Sequence, residues 1–250
     1  QPVTPEHRPE RGTYIGLFLV ALATLMYEIL LTRIFSVTML YHFAFVALSV
    51  AMFGMTVGAL IVYLLPRIFT PDRLHRWLAL AALAFPLAMV FSFLTQLSVP
   101  FRVHPSIVAL YAIAFTYAVI AVPFIVSGIV VCLSLPGFPS RVSRLYAADL
   151  AGAAAGCVLL IPVLDYSDGP TAVLWVSVLA SFGAVAFAGP AGGRLRGVAV
   201  ALTLGLGLSA AVNTVLVWKH FPVFRTLHMQ GSFEARPIYE KRHHYTRARV

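Results

Sequence analysis

The sequence predicts an all-α protein, a polytopic bundle of about seven transmembrane helices, and three observations carry that prediction. Seven apolar runs, each near the length that spans a bilayer, fill almost everything from Gly12 to Trp218. A helix needs roughly 20 mostly apolar residues to cross about 30 Å of hydrocarbon. The chain is 60% hydrophobic and 11% charged with a mean hydropathy of +0.88, whereas a soluble domain carries about 25% charged residues. The runs are also too long and too continuously apolar for barrel strands, whose signature is about 10 residues of alternation. A backbone in hydrocarbon must satisfy its own hydrogen bonds, so the runs are predicted to be helices.

The first span is predicted over residues 13–34. Arg8 and Arg11 precede it as they would precede a signal sequence, but the run is too long and ends in Thr32-Arg33-Ile34 rather than at a small-residue cleavage site. The second, residues 41–65, carries Gly54-Met55-Thr56-Val57-Gly58, a small-xxx-small pattern that lets another helix approach closely. The third, 74–96, contains Pro86, and the fourth, 106–135, contains Pro123. The fifth, 142–164, carries Gly152-Ala153-Ala154-Ala155-Gly156 and then Pro162. Each of these prolines is expected to bend its helix, because it removes a backbone donor and crowds the preceding turn. The sixth and seventh cover 171–188 and 198–218. Residues 1–12 then form an N-terminal polar segment, 13–218 the transmembrane domain, and 219–250 a basic extramembrane tail with strand-like character at its end.

The formal net charge is +9 and the isoelectric point near 10.0. The arginines lie in short loops and in the tail, where anionic lipid headgroups are the expected partner and nucleic acid is not. Arg8, Arg11, Arg67, Arg73, Arg76, Arg141, Arg144, Arg194 and Arg196 all fall on one side of the predicted topology. The opposite loops hold Arg33 and Arg102, and the loop from Asp165 to Gly169 has no base at all. Cytoplasmic short loops are enriched in Lys and Arg, which places the N-terminus in the cytoplasm and, after an odd number of spans, the tail outside. The tail's Lys219, Arg225, Arg236, Lys241, Arg242, Arg247 and Arg249 argue the other way. The short loops carry more weight, since long segments translocate largely regardless of charge.

Ionisable groups inside apolar spans are costly and mark either ion pairs or function. Glu28 in the first span and Asp149 in the fifth are such groups, with Arg33, His42, Arg102 and His104 grouped near the outer helix ends. Arg33, five residues past Glu28, lies well around the helix from it, so a partner on another helix is expected for Glu28. Arg33, Arg102 or His42 would serve Glu28, and Arg144 or a hydroxyl on a facing helix would serve Asp149. These residues read either as a network fixing helix ends or as a small polar, proton-accessible site. His42 and His104 come without a His-x-x-His or Glu-x-x-His spacing. No Gly-rich phosphate loop, His-Glu-x-x-His, Gly-x-Ser-x-Gly or close carboxylate pair is present, so neither a cofactor nor a catalytic residue is expected. Cys132 and Cys157 read as small packing residues. Gly54, Gly58, Gly152 and Gly156 are the expected helix-packing positions, within the chain or against other membrane subunits or a second copy.

Three segments resemble the membrane domain of bacterial spermidine-synthase-like proteins, also called polyamine aminopropyltransferase-like membrane proteins. They are Tyr27-Glu28-Ile29-Leu30-Leu31-Thr32-Arg33-Ile34-Phe35-Ser36 with Tyr41-His42-Phe43-Ala44-Phe45 and the run to Gly54, Leu145-Tyr146-Ala147-Ala148-Asp149-Leu150 with Gly152 and Gly156, and the tail from Tyr239-Glu240-Lys241 to Val250. In that family the membrane domain commonly precedes a Rossmann-like catalytic domain. The resemblance implies a non-catalytic anchor in a bacterial cytoplasmic membrane, with Glu28, Arg33, His42 and Asp149 as family-like positions of unassigned role. An accessory subunit of a larger membrane complex, or a transporter using the intramembrane acids, are the alternatives.

Overall fold

The computed structural model describes residues 10–38, 43–98 and 107–218, together with four short strands in the tail. Seven helices make up the bundle: α1 (Arg11–Thr38), α2 (Phe43–Leu64), α3 (Leu74–Ser98), α4 (Ile107–Gly137), α5 (Val142–Tyr166), α6 (Gly169–Ala188) and α7 (Gly193–Trp218). All seven are long and apolar enough to cross a membrane. The chain is an integral membrane protein with an all-α, polytopic architecture. In the tail, β1 (His228–Met229) pairs antiparallel with β2 (Ser232–Phe233), and β3 (Glu240–Arg242) with β4 (Arg247–Arg249).

Every predicted span corresponds to one helix, but several helices outrun their hydrophobic stretch. α1 continues to Thr38, and α7 starts at Gly193, so that Arg194 and Arg196 sit in its opening turns. Hydropathy registers only the hydrocarbon-embedded part, whereas backbone hydrogen bonding propagates until a turn or proline stops it. The stops are legible. Pro71 and Pro139 open short 3₁₀ turns ahead of α3 and α5, and Pro170 occupies the start of α6 where its missing N–H costs nothing. Between α6 and α7 the chain turns at Gly192, whose φ of 117° no residue with a Cβ adopts readily. Pro86, Pro123 and Pro162 lie inside α3, α4 and α5, which run on through them.

α1 is the centre of the bundle. It packs on α5, α6, α2 and α4, with its most extensive contacts to α5 and α6. Glycines set those distances. A Cβ added at Gly152 would collide with the Phe18 carbonyl oxygen, and one at Gly156 would lie 2.7 Å from that of Leu22. The four-residue step is the same on both helices, so α1 and α5 run parallel with backbones in contact. On its other side, Gly12 and Gly16 of α1 meet Ala186 and Phe187 of α6, and Gly183 returns the contact against Val20. The same device joins α2 to α4. Gly54 lies against Ala121 and Phe124, Gly58 against Ile125 and Ile129, and Gly128 against Met55. All four expected packing glycines therefore face a neighbouring helix of the same chain.

The outer helices differ in how much they bury. In α6, 72% of the span is buried, against 17% in α5 and 11% in α7. The core runs along α1 through Leu17, Met26, Tyr27, Leu30, Leu31 and Phe35. Phe45, Phe53, Tyr63, Phe91, Leu204 and Leu208 point outward. In a membrane protein these large apolar side chains face lipid, where no hydrophobic penalty attaches to exposure.

Candidate functional site

Two buried polar clusters cross helix interfaces, and neither was singled out from the sequence. The first lies where α1, α3 and α4 meet. Thr24 donates to the carbonyl of Val20 at 2.7 Å, as hydroxyls in apolar helices commonly do, and its Oγ1 lies 2.6 Å from Ser127 Oγ on α4. One turn further along α1, the Tyr27 hydroxyl donates to Ser92 Oγ of α3 at 3.5 Å while its ring packs on Phe124. Tyr27, Ser92 and Ser127 are all essentially inaccessible. Two turns beyond Tyr27, Phe35 packs against the ring of Tyr117. On α3, Gln96 follows Ser92 by one turn on the same face and is 8% exposed. Gln96 Oε1 and the Tyr117 hydroxyl are buried and make no hydrogen bond among the described residues.

The second cluster ties α6 to α7 at the same end of the bundle as Gln96. Asn213 Nδ2 donates to Thr171 Oγ1 at 2.8 Å, and the Thr171 hydroxyl donates to Asp168 Oδ1. Asn213 and Thr171 are each 1% exposed. Asp168 precedes the first turn of α6, where the helix dipole favours an anion. Trp175 Nε1 reaches Thr214 Oγ1 at 3.2 Å on the neighbouring turn. The missed signal was modest but present. Asn213 is the only asparagine in the chain and Gln96 the only glutamine within a span. An amide in hydrocarbon must find partners, whereas the hydroxyls of Thr24, Ser92 and Ser127 carry no comparable signal, since Ser and Thr bond back to their own helix.

The predicted ionisable residues are spread rather than gathered. Glu28 and Asp149 are both half-buried, and neither has a hydrogen-bonding or ion-pair partner among the described residues. The expected pairings of Glu28 with Arg33 and of Asp149 with Arg144 are not made, because both arginines point outward at exposed positions. His42, Arg102 and His104 lie outside the described residues. The α1–α5 register also separates the two acids. Asp149, three residues before Gly152, stands level with Ile15, three before Phe18, while Glu28 is 13 residues further along α1. At about 1.5 Å per residue the two acids are about 20 Å apart in depth.

The cysteines divide. Cys132 is half-buried beside the Ala59 carbonyl at 3.8 Å, in keeping with a packing role, but Cys157 is exposed on the lipid-facing side of α5. Among the described residues no group of three or more His, Cys, Asp or Glu side chains is placed to hold a metal ion.

Charge is strongly polarised between the two ends. Because the helices alternate in direction, the start of α1 and the α2–α3, α4–α5 and α6–α7 connections share one end. Arg11, Arg67, Arg73, Arg76, Arg141, Arg144, Arg194 and Arg196 are all exposed there, with Glu10 and Asp72 the exposed acids beside them. At the other end the described Arg, Asp and Glu residues of the helix ends and helix connections are Arg33, Asp165 and Asp168. No protein-family model, curated protein or solved structure matches the chain.

Proposed function

We propose that this chain is a non-catalytic membrane domain, of the kind that anchors a spermidine-synthase-like protein in a bacterial cytoplasmic membrane. The observation that carries the reading is the construction of α1. Glycine contacts lock it to α5 on one side and to α6 on the other, backbone against backbone. Such contacts leave no room for helices to slide or part, which suits a scaffold more than a machine that alternates between states. The segments that resemble the family, around Glu28-Arg33 and Asp149, both lie on this α1–α5 pair.

The arginine-rich end faces the cytoplasm in this reading and rests on anionic headgroups, each basic residue near the surface contributing about 1 kcal/mol. The roughly 20 Å between Glu28 and Asp149 weakens the transporter alternative, which needs polar groups within reach of one another along a path.

An accessory-subunit role is supported by α7. Gly193, Gly197 and Gly205 recur at helical spacing on its exposed face with Ala201 between them, and a Cβ at any of the glycines would meet nothing within 4 Å. The glycine pairs of α2 and α5, by contrast, meet helices of the same chain. Gentle solubilisation followed by mass measurement separates the readings: an anchor emerges alone or joined to its own soluble domain, a subunit with stoichiometric foreign chains.

The direct test of the anchor reading is transfer from a labelled aminopropyl or methyl donor by the purified chain. No turnover is expected. Turnover that disappears on changing a residue of this chain overturns the reading.

A further inference from the structure

We propose that the outer half of the α1–α3–α4 junction holds a structural water bound between Gln96 and Tyr117. Both side chains present a buried polar atom with no hydrogen bond among the described residues, and the two are complementary: an amide oxygen that can only accept and a phenol that can donate. An unsatisfied polar group away from water costs about 1–3 kcal/mol, so each of the two atoms calls for a partner.

Helix register brings them to the same depth. Leu74 of α3 lies against Gly137 of α4, and the helices are antiparallel; Gln96, 22 residues along α3, is therefore level with residue 115, 22 residues back along α4. Tyr117 is half a turn from that level. The α1 side agrees, since Tyr27 and Phe35 meet Phe124 and Tyr117 in antiparallel order, which places Tyr117 on the same junction that Tyr27 and Ser92 occupy one to two turns deeper. Lipid offers neither a donor nor an acceptor at this depth, and two described hydroxyls of these helices are already engaged: Ser92 with Tyr27, and Thr116 with the Ala112 carbonyl at 2.8 Å. A water donating to Gln96 Oε1 and accepting from the Tyr117 hydroxyl satisfies both atoms at once. Buried waters typically occupy such places, making about three hydrogen bonds each.

The site continues a polar column that descends through Tyr27–Ser92 to Thr24–Ser127. Its deeper members are satisfied by one another, so water stops at the Gln96–Tyr117 level. The column is a hydrated cap on an otherwise dry core and not a through-path.

Radiolytic hydroxyl labelling of the full chain in lipid nanodiscs, in oxygen-18 water, reads this out, because radicals generated from a bound water attack the side chains beside it. Tyr117 should take up label several-fold faster than Phe124, seven residues along the same helix and fully buried. Gln96→Leu, which removes one partner of the water and fills its place, should bring Tyr117 down to the Phe124 level. Should that variant fail to fold, Tyr117→Phe removes only the hydroxyl and should lower labelling at the same position. Labelling at Tyr117 no faster than at Phe124, or unaffected by whichever variant folds, overturns the proposal.

Discussion

Gly152 of α5 rests so closely on the Phe18 carbonyl of α1 that a single methyl group would strike it. The contact repeats one turn later between Gly156 and Leu22, with 2.7 Å from the built Cβ position to the carbonyl oxygen. Bulk at Gly152 must push the two backbones apart, and overpacking of this kind costs about 1–3 kcal/mol. Gly152→Leu is therefore expected to lower the melting temperature of the solubilised bundle clearly, while Gly205→Leu on open α7 leaves it nearly unchanged. Equal melting of the two variants would show that the α1–α5 contact is wrongly placed.

Thr24 and Ser127 form the one hydroxyl pair joining α1 to α4 among the described hydrogen bonds. Interhelical hydrogen bonds in membranes average about 0.6 kcal/mol by double-mutant cycle. Thr24→Val and Ser127→Ala, singly and together, should give a coupling of that size. A coupling indistinguishable from zero would mean that each hydroxyl is content with its own backbone.

Thr171 accepts from Asn213 and donates to Asp168, so Thr171→Val breaks both bonds at once. The expected loss is about 1–3 kcal/mol. Ser177→Ala is the contrast: its hydroxyl, equally buried on the same helix, bonds only the Val173 carbonyl. Thr171→Val should be the more destabilising of the two in thermal unfolding, and the reverse order would dissolve the α6–α7 network.

Glu28 and Asp149 are half-buried acids without a cation beside them among the described residues. Removing a charge that nothing compensates relieves its desolvation cost. Glu28→Gln and Asp149→Asn are expected to keep or raise the melting temperature. A marked drop in either would reveal a cationic partner that the described residues do not supply.

Ser140 lies in the turn Pro139–Arg141 before α5, and Ser167 follows its last residue, Tyr166. A 25-residue helix separates them, about 37 Å of axial rise and enough to span a bilayer. Single cysteines at these two positions, in a background with Cys132 and Cys157 replaced, should react with impermeant reagents from opposite faces, Ser140 from the arginine-rich side. Reaction of both from one face would break the seven-span topology.

What the sequence by itself determined is the part of this protein governed by one-body physics. The cost of backbone and charge in hydrocarbon marks each span, which is why seven apolar runs became seven helices, and why arginines between the apolar runs, such as Arg73, Arg141 and Arg194, came out at one end. Small-xxx-small spacing likewise announced that Gly54, Gly58, Gly152 and Gly156 would meet helices, because an absent side chain is a local property. Tertiary structure alone decided which helices they meet, α4 for the first pair and α1 for the second, and that α1 stands at the centre. It also decided the polar chemistry. Costly residues such as Glu28 and Asp149 stand out in the sequence yet sit apart with no partner among the described residues, while Thr24, Ser127, Ser92 and Thr171 became cross-helix contacts. A hydrogen bond between helices depends on the register and rotation of two surfaces at once, and no pattern along a single chain segment encodes that pair of choices.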